Sequence, residues 1–375
     1  MKSANIMGIP MENPVVIASG PWSRGIHRMK KALECGAGAV ITESIVSESY
    51  PDTRPRYAYD KNSHGLQNIR IYSALELENW LQDLKRINRD GRYGSKSRLI
   101  ASIMGSTASE LGYIAQKVES AGIDGIELGL ACPMGEGPKI LAGEPELVYQ
   151  LAKEVVDAVS VPVSVKLSAD AGRLSEVVKA AEAAGVSGIS GIDTLRCILG
   201  IDVETGKPAL PTYGGYSGAP IKPVGLATVA GIVQSAHLPV TGMGGIRNHI
   251  DLLEYIMVGA SSCGIGTEIL LQGYDIIPQI TSHLDEWLDA HGIADLDRIR
   301  GCSLNELKSF EEIKQEDRSA YLAQDCRNAA CSKCISACLE KAVQFDDGAV
   351  SIDQSRCDGC GLCLGVCPEN KIALS

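Results

Sequence analysis

Eight short apolar segments, each followed by a stretch with helical periodicity, limit what this chain can fold into. They are rich in β-branched residues, and apolar residues do not alternate with polar ones along them. Strands with this pattern are buried on both faces, as in a parallel sheet covered by helices. The segments lie at 13–20, 37–45, 99–105, 122–130, 162–167, 188–194, 239–245 and 262–269.

Eight strand–helix units in about 270 residues predict an α/β fold of the (β/α)8 TIM-barrel type. A doubly wound open sheet is the alternative, but it more often has fewer strands and a GxGxxG turn after the first one. No such turn follows the first segment. Two long spans, 46–97 and 195–222, follow the second and sixth strands. In a barrel they would lie at the C-terminal rim, where we expect lids or interfaces.

Composition and charge limit the partners and the cellular location that we expect for this protein. The 375 residues carry a net charge of −11, which argues against a nucleic-acid or anionic-membrane partner. The N-terminus does not resemble a signal peptide, and no apolar run reaches membrane-spanning length. We therefore expect a cytoplasmic protein.

Eight of the 13 cysteines lie between residues 326 and 367, which is typical of metal binding rather than of disulfides. Residues 357–368 form a complete C-x2-C-x2-C-x3-C-P motif, typical of [4Fe–4S] ligation in which the fourth cysteine serves the other cluster. We predict a small C-terminal α+β ferredoxin-like domain over 301–375, after a barrel over 1–300. Zinc bound by four cysteines is the less favoured alternative.

The crossing rule assigns the eight cysteines to two [4Fe–4S] clusters. One cluster would be bound by Cys326, Cys331, Cys334 and Cys367, and the other by Cys338, Cys357, Cys360 and Cys363. Cys326 is the questionable ligand, because four residues rather than two separate it from the next cysteine.

Glycine-rich turns follow the seventh and eighth strands, in TGMGGI (241–246) and GIGTE (264–268). In barrels the loops after these strands form the usual phosphate site, because backbone N–H groups meet there. Each turn alone is a weak signal, since glycine is also a plain turn former, but together they predict a mononucleotide site. Lys166 ends the fifth strand and would point into the barrel mouth. It would be either a partner of a flavin ring nitrogen or an exposed strand-end lysine.

Several stretches, taken in order, resemble those of the class 1 dihydroorotate dehydrogenase and dihydropyrimidine dehydrogenase barrels. They are ASGP, ITES, IELGLACPMG, VSVKLS, GIDT, YGGYSG, TGMGGI and GIGTE. The GGYSGAPIKP segment and the cysteine-rich tail most resemble the FMN and iron–sulfur subunit of bacterial NAD-dependent dihydropyrimidine dehydrogenase. The resemblance spans essentially the whole chain.

This resemblance implies FMN in the barrel mouth and a role for Cys132, the cysteine of the family's SCP sequence. The flavin would exchange hydride with one carbon of a C=C bond, and the Cys132 thiol would exchange a proton with its neighbour. An inert, buried thiol is the alternative. Substrate contacts would be Asn68, Gly129, Asp193 and Thr194. Flavin contacts would be Ser19, Glu43, Ser44, Lys166, Gly218, Gly244, Gly245, Gly266 and Thr267.

Some positions depart from the family pattern. Gly129 replaces an asparagine near the cysteine, Glu43 replaces a lysine and Asp193 replaces an asparagine. Two carboxylates facing one pocket would repel an anion such as dihydroorotate and would favour N–H donors or a cationic group on the substrate. Arg70 or Arg196 could instead neutralise one carboxylate and restore an ordinary pyrimidine site.

These observations predict an FMN-dependent, iron–sulfur oxidoreductase that acts on a C–C bond of a small cyclic, amide-like substrate. Because the chain shows no NAD(P) module, a flavoprotein subunit using FAD and NAD(P)H, or a ferredoxin, would exchange electrons with the clusters. Dihydropyrimidine dehydrogenase activity proper is the first alternative. The second is an electron-transfer subunit with a non-catalytic barrel, which the retention of Cys132 and Lys166 disfavours. We expect a homodimer or a hetero-oligomer.

Overall fold

The computed structural model describes residues 4–49, 51–89, 97–130, 143–169, 172–314 and 316–375. The chain divides into two compact units, Met1–Leu307 and Lys308–Ser375. Each unit has a hydrophobic core of its own, as expected of separate domains.

The first unit begins with an antiparallel hairpin of β1 (Ala4–Ile6) and β2 (Ile9–Met11). Its apolar side chains pack against Ile41 and Ile100 of the barrel strands. The sequence did not predict this hairpin, because two strands of 3 residues are too short to show an alternating pattern.

Eight parallel strands form a closed barrel in the order of the sequence. Each coincides with one of the segments predicted above, which confirms the (β/α)8 architecture. The strands are β3 (Val15–Ile17), β4 (Ala39–Ile41), β7 (Arg98–Ile103), β8 (Gly125–Gly129), β9 (Val163–Leu167), β10 (Gly188–Gly191), β15 (Val240–Met243) and β16 (Ser262–Ile265).

Helices connect the strands and cover the outside of the barrel with their apolar faces. In the helix that follows β7, Leu111, Ile114 and Val118 are buried, and the N-cap Thr107 accepts a hydrogen bond from the backbone of Glu110. No helix in the described part of the chain is both long and apolar enough to cross a membrane. The helices are α1 (Gly25–Glu34), α2 (Leu77–Arg89), α3 (Ala108–Ser120), α4 (Pro145–Ala158), α5 (Leu174–Ala183), α6 (Lys222–Ser235), α7 (His249–Met257), α8 (Thr267–Gln272) and α9 (Ile276–Ala290).

The two long spans after β4 and β10 meet at the rim in one antiparallel sheet. Its strands follow the order β11 (Leu195–Cys197), β14 (Gly214–Gly218), β6 (Gly65–Asn68) and β5 (Tyr57–Asp60). The central pairing, between β14 and β6, joins the two spans. A smaller hairpin of β12 (Ile201–Asp202) and β13 (Lys207–Pro208) belongs to the second span. The spans thus form a single structure at the barrel mouth rather than two separate loops.

The second unit is a small α+β structure, in agreement with the predicted ferredoxin-like domain. Two antiparallel pairs of strands frame it, and two short helices, which pack against each other, carry the cysteine motifs. Val343, Val350 and Ile372 form its core with Cys334 and Cys363. The elements are β17 (Ala320–Leu322), α10 (Lys333–Ala337), β18 (Val343–Asp346), β19 (Ala349–Ile352), α11 (Leu362–Val366) and β20 (Ile372–Leu374).

Candidate active site

Two adjoining cavities lie at the C-terminal ends of the barrel strands, next to the rim sheet. Ser19, Lys166, Asp193 and Thr194 line both of them, so the two form one continuous site. The first cavity, of about 750 Å³, is bounded by the rim sheet and the ends of β3 and β4. The second, of about 540 Å³, is bounded by the turns after β15 and β16.

The second cavity is lined mainly by backbone and small side chains. Gly218, Gly244 and Gly245 have φ angles of +94°, +125° and +72°, which glycine adopts without strain. The hydroxyl of Thr267 donates to Ser217 Oγ at 2.8 Å. Backbone N–H groups and hydroxyls with so little bulk around them fit the phosphate and polyol chain of a mononucleotide.

Trp22 is a cavity residue that the sequence did not reveal. It lines both cavities, and its indole Nε1 donates to the carbonyl oxygen of Ala18 at 2.6 Å. Its ring lies 2.7 Å from the position of a Cβ atom at Gly266, so that turn must be glycine to let the ring approach. A lone tryptophan after the first strand carries no motif, which is why only the structure places it.

Lys166 lines both cavities. It is 8% exposed, in the penultimate position of β9, and its Nζ lies 3.9 Å from Asp193 Oδ1. The same Asp193 oxygen accepts a hydrogen bond from the backbone N–H of Thr194 at 2.6 Å. Lys166 is therefore a buried cavity lysine, and the alternative of an exposed strand-end lysine is wrong.

A network of ion pairs forms the wall of the first cavity. Arg70 Nε lies 2.7 Å from Glu43 Oε1, and Arg70 Nη2 donates to Glu43 Oε2 at 3.3 Å. Asp52 is shared, since Arg70 Nη1 lies 2.7 Å from its Oδ1 and Arg24 Nη1 donates to its Oδ2 at 3.1 Å. Burial raises the pKa of Glu43, although Arg70 opposes the rise. Burial also acts on Asp52, but Arg24 and Arg70 outweigh it and lower the pKa of that carboxyl.

The structure corrects the expectation that Glu43 and Asp193 present two uncompensated carboxylates. Glu43 is paired with Arg70, and Asp193 faces Lys166. Arg196 takes no part, because its guanidinium lies over a tyrosine ring of the rim, 4.1 Å from the ring centre. Glu43 and Asp193 therefore both face cations, and the argument for a cationic substrate, which rested on these two acids, loses its basis.

The substrate end of the first cavity is less polar than the family pattern implies. Gly129 ends β8, and Met104 Cγ lies 2.9 Å from where a Cβ atom at Gly129 would stand. Met104 also lines the cavity. A thioether thus fills the space into which the family's asparagine would extend. Asn68 remains, and its Oδ1 accepts a hydrogen bond from the backbone N–H of Arg70 at 2.8 Å.

The structure brings most of the predicted residues together at this site. Gly129 lies beside the cavity, next to Met104. Cys132 lies outside the described residues. The predicted residues that line the two cavities are Ser19, Glu43, Ser44, Asn68, Lys166, Asp193, Thr194, Gly218, Gly244, Gly245, Gly266 and Thr267.

In the second unit, the cysteines fall into two groups. A cavity of about 330 Å³ is lined by Cys338, Cys357, Cys360 and Cys363. In the other group, burial raises the pKa of the Cys334 thiol, and the nearby Cys367 and Cys326 raise it further. Cys331 lies just before α10, the short helix that contains Cys334. Cys326 therefore lies near Cys334 and Cys367, and the assignment of the two ligand sets stays a prediction.

The thiols also receive backbone hydrogen bonds. Ala342 N donates to Cys338 Sγ at 3.3 Å, and Lys371 N donates to Cys367 Sγ at 3.4 Å, at equivalent places in the two motifs. Such N–H···S bonds support thiolate ligands of iron–sulfur clusters. No three His, Cys, Asp or Glu side chains within the described ranges gather as they would around a single metal ion. The donor set fits cubane clusters, whose ligands are spread over several iron atoms.

Fold and site together define a class of protein, a (β/α)8-barrel oxidoreductase joined to a 4Fe–4S-binding unit. A family model described as dihydroorotate dehydrogenase matches residues 1–288, and one described as a 4Fe-4S binding domain matches residues 349–372. The chain belongs to the dihydroorotate dehydrogenase family.

Curated relatives agree with this assignment. The proteins of three archaea, each named dihydroorotate dehydrogenase B (NAD(+)), catalytic subunit, illustrate the similarity. The protein of Thermococcus kodakarensis is 34% identical over 306 residues, which cover 80% of this chain and 98% of the relative. Those of Pyrococcus furiosus and Methanocaldococcus jannaschii are 33% identical over 300 and 308 residues, covering 79% and 80% of this chain and 96% and 97% of the relatives. The class 1 resemblance is confirmed, whereas the nearer resemblance to a dihydropyrimidine dehydrogenase subunit is not shown by these matches.

Proposed function

We propose that this chain is an FMN-dependent, iron–sulfur oxidoreductase that oxidises or reduces a C–C bond in a neutral, cyclic, amide-like substrate. The observation that carries the proposal is the continuous cavity, which joins a glycine-lined end to a charge-paired end across Lys166. FMN would be held by Gly244, Gly245 and Thr267 at its phosphate and by Lys166 at its ring. When bound, FMN supplies hydride exchange with the substrate and single-electron exchange with iron–sulfur clusters.

The proton of the reaction is assigned to Cys132 on the strength of the family resemblance. β8 ends at Gly129, beside a cavity residue, so the chain enters the segment of Cys132 at the edge of the site. On substrate reduction, the thiol gives its proton to the carbon next to the one that receives hydride. On oxidation, the thiolate takes that proton back, so that one hydride and one proton are exchanged per C–C bond.

The substrate class follows from the paired charges. Arg70 and Lys166, which line the first cavity, each already face a carboxylate that lines it as well. A substrate carboxylate, as in dihydroorotate, would have to compete with those carboxylates for a cation in a partly buried site. A neutral ring avoids this competition, and Asn68 and Thr194 offer polar groups to its amides.

Dihydropyrimidine dehydrogenase activity proper is the second candidate. The Glu43–Arg70 pair favours it, because pairing removes the lone negative charge that would otherwise separate this pocket from an ordinary pyrimidine site. Uracil and dihydrouracil are neutral and belong to the proposed substrate class. An electron-transfer subunit with a non-catalytic barrel is disfavoured by the intact cavity lining.

Two [4Fe–4S] clusters would carry electrons to or from a separate partner. The two cysteine groups support this number, although the family model covers one motif, residues 349–372. We propose a flavoprotein subunit or a ferredoxin as the partner, in a hetero-oligomer. The words "catalytic subunit" in the names of the relatives support a partner chain.

Anaerobic titration of the flavin absorbance tests the substrate class. Dihydrouracil should bleach the flavin, and dihydroorotate, which differs mainly by a carboxylate, should not. Glu43→Gln removes one of the two carboxylates that face Arg70 and leaves Asp52, so it should let dihydroorotate bleach the flavin in part. Glu176→Gln, at an exposed ion pair on the outside of the barrel, serves as the control. Bleaching of the unmodified protein by dihydroorotate, with no response to dihydrouracil, would overturn the proposal.

A further inference from the structure

The barrel interior below the cavity holds an acid that the proposed function does not use. Glu127 is the middle residue of β8 and is 0% exposed. Ile126 and Leu128, on either side of it, pack in the hydrophobic layer between strands and helices. Because side chains alternate along a strand, Glu127 faces the barrel axis. There it lies level with Ser102 of β7 and Ser164 of β9.

Neither carboxyl oxygen of Glu127 accepts a hydrogen bond from a group in the described part of the chain. The Ser190 hydroxyl is near enough to favour the charged form but does not complete an aligned hydrogen bond. A fully buried carboxylate without hydrogen bonds is among the costliest states that a side chain can adopt. The position therefore calls for a neutralising proton or a dedicated cation.

Lys166 is the nearby cation, but it has another anionic partner. The strand register puts Lys166 level with Gly129, one layer above Glu127 on the neighbouring strand. Its Nζ lies 3.9 Å from Asp193 Oδ1. Asp193 and Lys166 are the charged groups that act on Glu127. With both acids ionised, one lysine would face two negative charges, whereas a protonated Glu127 leaves one ion pair and no excess charge.

Electrostatics agree with the geometry. Burial raises the pKa of Glu127, Lys166 opposes the rise, and Asp193 adds to it. Asp251, a buried acid elsewhere in the same barrel, provides the contrast. Burial acts on it too, but hydrogen bonds from Lys222 and Arg247 outweigh burial and lower its pKa. Glu127 and Asp251 are thus two buried acids of the barrel unit whose pKa values shift in opposite directions.

We propose that Glu127 is a positioning residue, held as the neutral carboxylic acid beneath Lys166. In this form it fills the interior, leaves the Lys166–Asp193 pair without excess charge, and holds the ammonium at the level of the cavity. The protonation state follows from the barrel alone. The effect on cofactor binding rests on the proposed function, since it requires FMN above Lys166.

The first experiment measures the protonation state through the pH dependence of unfolding. Tryptophan fluorescence reports on the barrel in the full chain, because Trp22, Trp80 and Trp287 all belong to the first unit. Thermal unfolding of the unmodified protein is compared with that of Glu127→Gln and of Asp251→Asn between about pH 4 and pH 8.

If Glu127 is neutral in the folded protein, the unfolding temperature should depend on pH in a defined way. A group with a raised folded-state pKa favours the fold below its unfolded pKa of about 4.3 and loses that contribution as the pH rises. Glu127→Gln should therefore gain in unfolding temperature, relative to the unmodified protein, as the pH rises. Asp251→Asn should lose most at neutral pH. A Glu127→Gln chain that loses stability with rising pH, or fails to fold, would overturn the proposal, because an amide has the shape and charge of the neutral acid.

The second experiment tests positioning with FMN as the probe. Glu127→Leu should weaken FMN binding at least about tenfold, the order expected when a charged hydrogen-bonding partner is misplaced, and Glu127→Gln should restore it. If the Glu127→Leu variant does not fold, Glu127→Ala is measured in its place. Unchanged FMN affinity in the leucine or alanine variant would refute positioning. Failure of the unmodified protein to bind FMN would refute the proposed function and the positioning role together, and the unfolding curves would still decide the protonation state.

Discussion

Replacing Arg70 by methionine tests whether the charge-paired wall of the cavity is real. The substitution keeps most of the side-chain volume and removes the guanidinium that faces Glu43 and Asp52. The side chains of Arg70 and Glu43 are 5% and 4% exposed, so the remaining carboxylate would stay buried with one cation fewer. Removing one partner of a buried pair costs about 3–5 kcal/mol.

The lower end of that range applies here, because Arg24 Nε remains 4.0 Å from Glu43. In a barrel unit of this size, about 1 kcal/mol corresponds to about 2 °C in the unfolding midpoint, so we expect a loss of about 6 °C at neutral pH. The loss should fade as the pH falls through the folded-state pKa of Glu43, which burial raises, and little of it should remain below about pH 4.3.

Scanning calorimetry at several pH values measures this effect. Arg173→Met removes an ion pair whose side chains are more than half exposed, and it should leave the midpoint unchanged. The double variant Arg70→Met with Glu43→Gln should recover most of the loss, because the amide no longer needs a cation. An unchanged midpoint for Arg70→Met at neutral pH, or no recovery in the double variant, would refute the buried pairing.

Three further predictions concern the chemistry. Cys132→Ala should keep its cofactors and lose on the order of 10²–10⁴-fold in turnover, with Cys132→Ser retaining more; undiminished turnover would exclude the acid/base role. Lys166→Ala should weaken FMN retention or lower its reduction potential in spectroelectrochemical titration, since a nearby cation favours the reduced, anionic ring. Iron and acid-labile sulfide should approach about eight each per anaerobically purified chain. About four of each would show that the ligand set with the irregular Cys326 spacing does not bind a cluster. Zinc in place of iron would overturn the assignment.

The barrel was predictable because its signal is local. Each strand is a short apolar run buried on both faces, and each covering helix shows its buried stripe in the spacing of residues such as Leu111 and Val118. The glycine turns after β15 and β16 were equally visible, because each directly follows a strand that the apolar pattern identifies. The hairpin of β1 and β2 and the rim sheet could not be predicted from the sequence. Their strands are short and pair across distant parts of the chain, as β6 does with β14.

The charge of the site could not be derived from single positions. An acid at position 43 suggested an anionic pocket, yet its partner comes from a turn that the rim sheet creates. β6 ends at Asn68, whose side chain accepts a hydrogen bond from the backbone of Arg70, and this turn leads the arginine back to Glu43. The sequence offered Arg70 and Arg196 as alternative partners, and the structure confirms Arg70; the choice between them depends on two spans meeting in one sheet.

Position 43 and position 70 therefore act as one unit in determining what the pocket accepts. A lysine at 43, as in the family pattern, would offer a cation to a substrate carboxylate. Here it would take the place of a carboxylate that lies 2.7 Å from Arg70 Nε, and would set two cations against each other in a buried wall. Glu43→Lys alone should thus destabilise the barrel without creating a dihydroorotate site. An acid at 43 with an arginine at 70 keeps the wall neutral while placing guanidinium N–H groups beside the substrate space. Glu43 thus departs from the family pattern, and Arg70 balances its charge. The pair points to a substrate ring without a carboxylate.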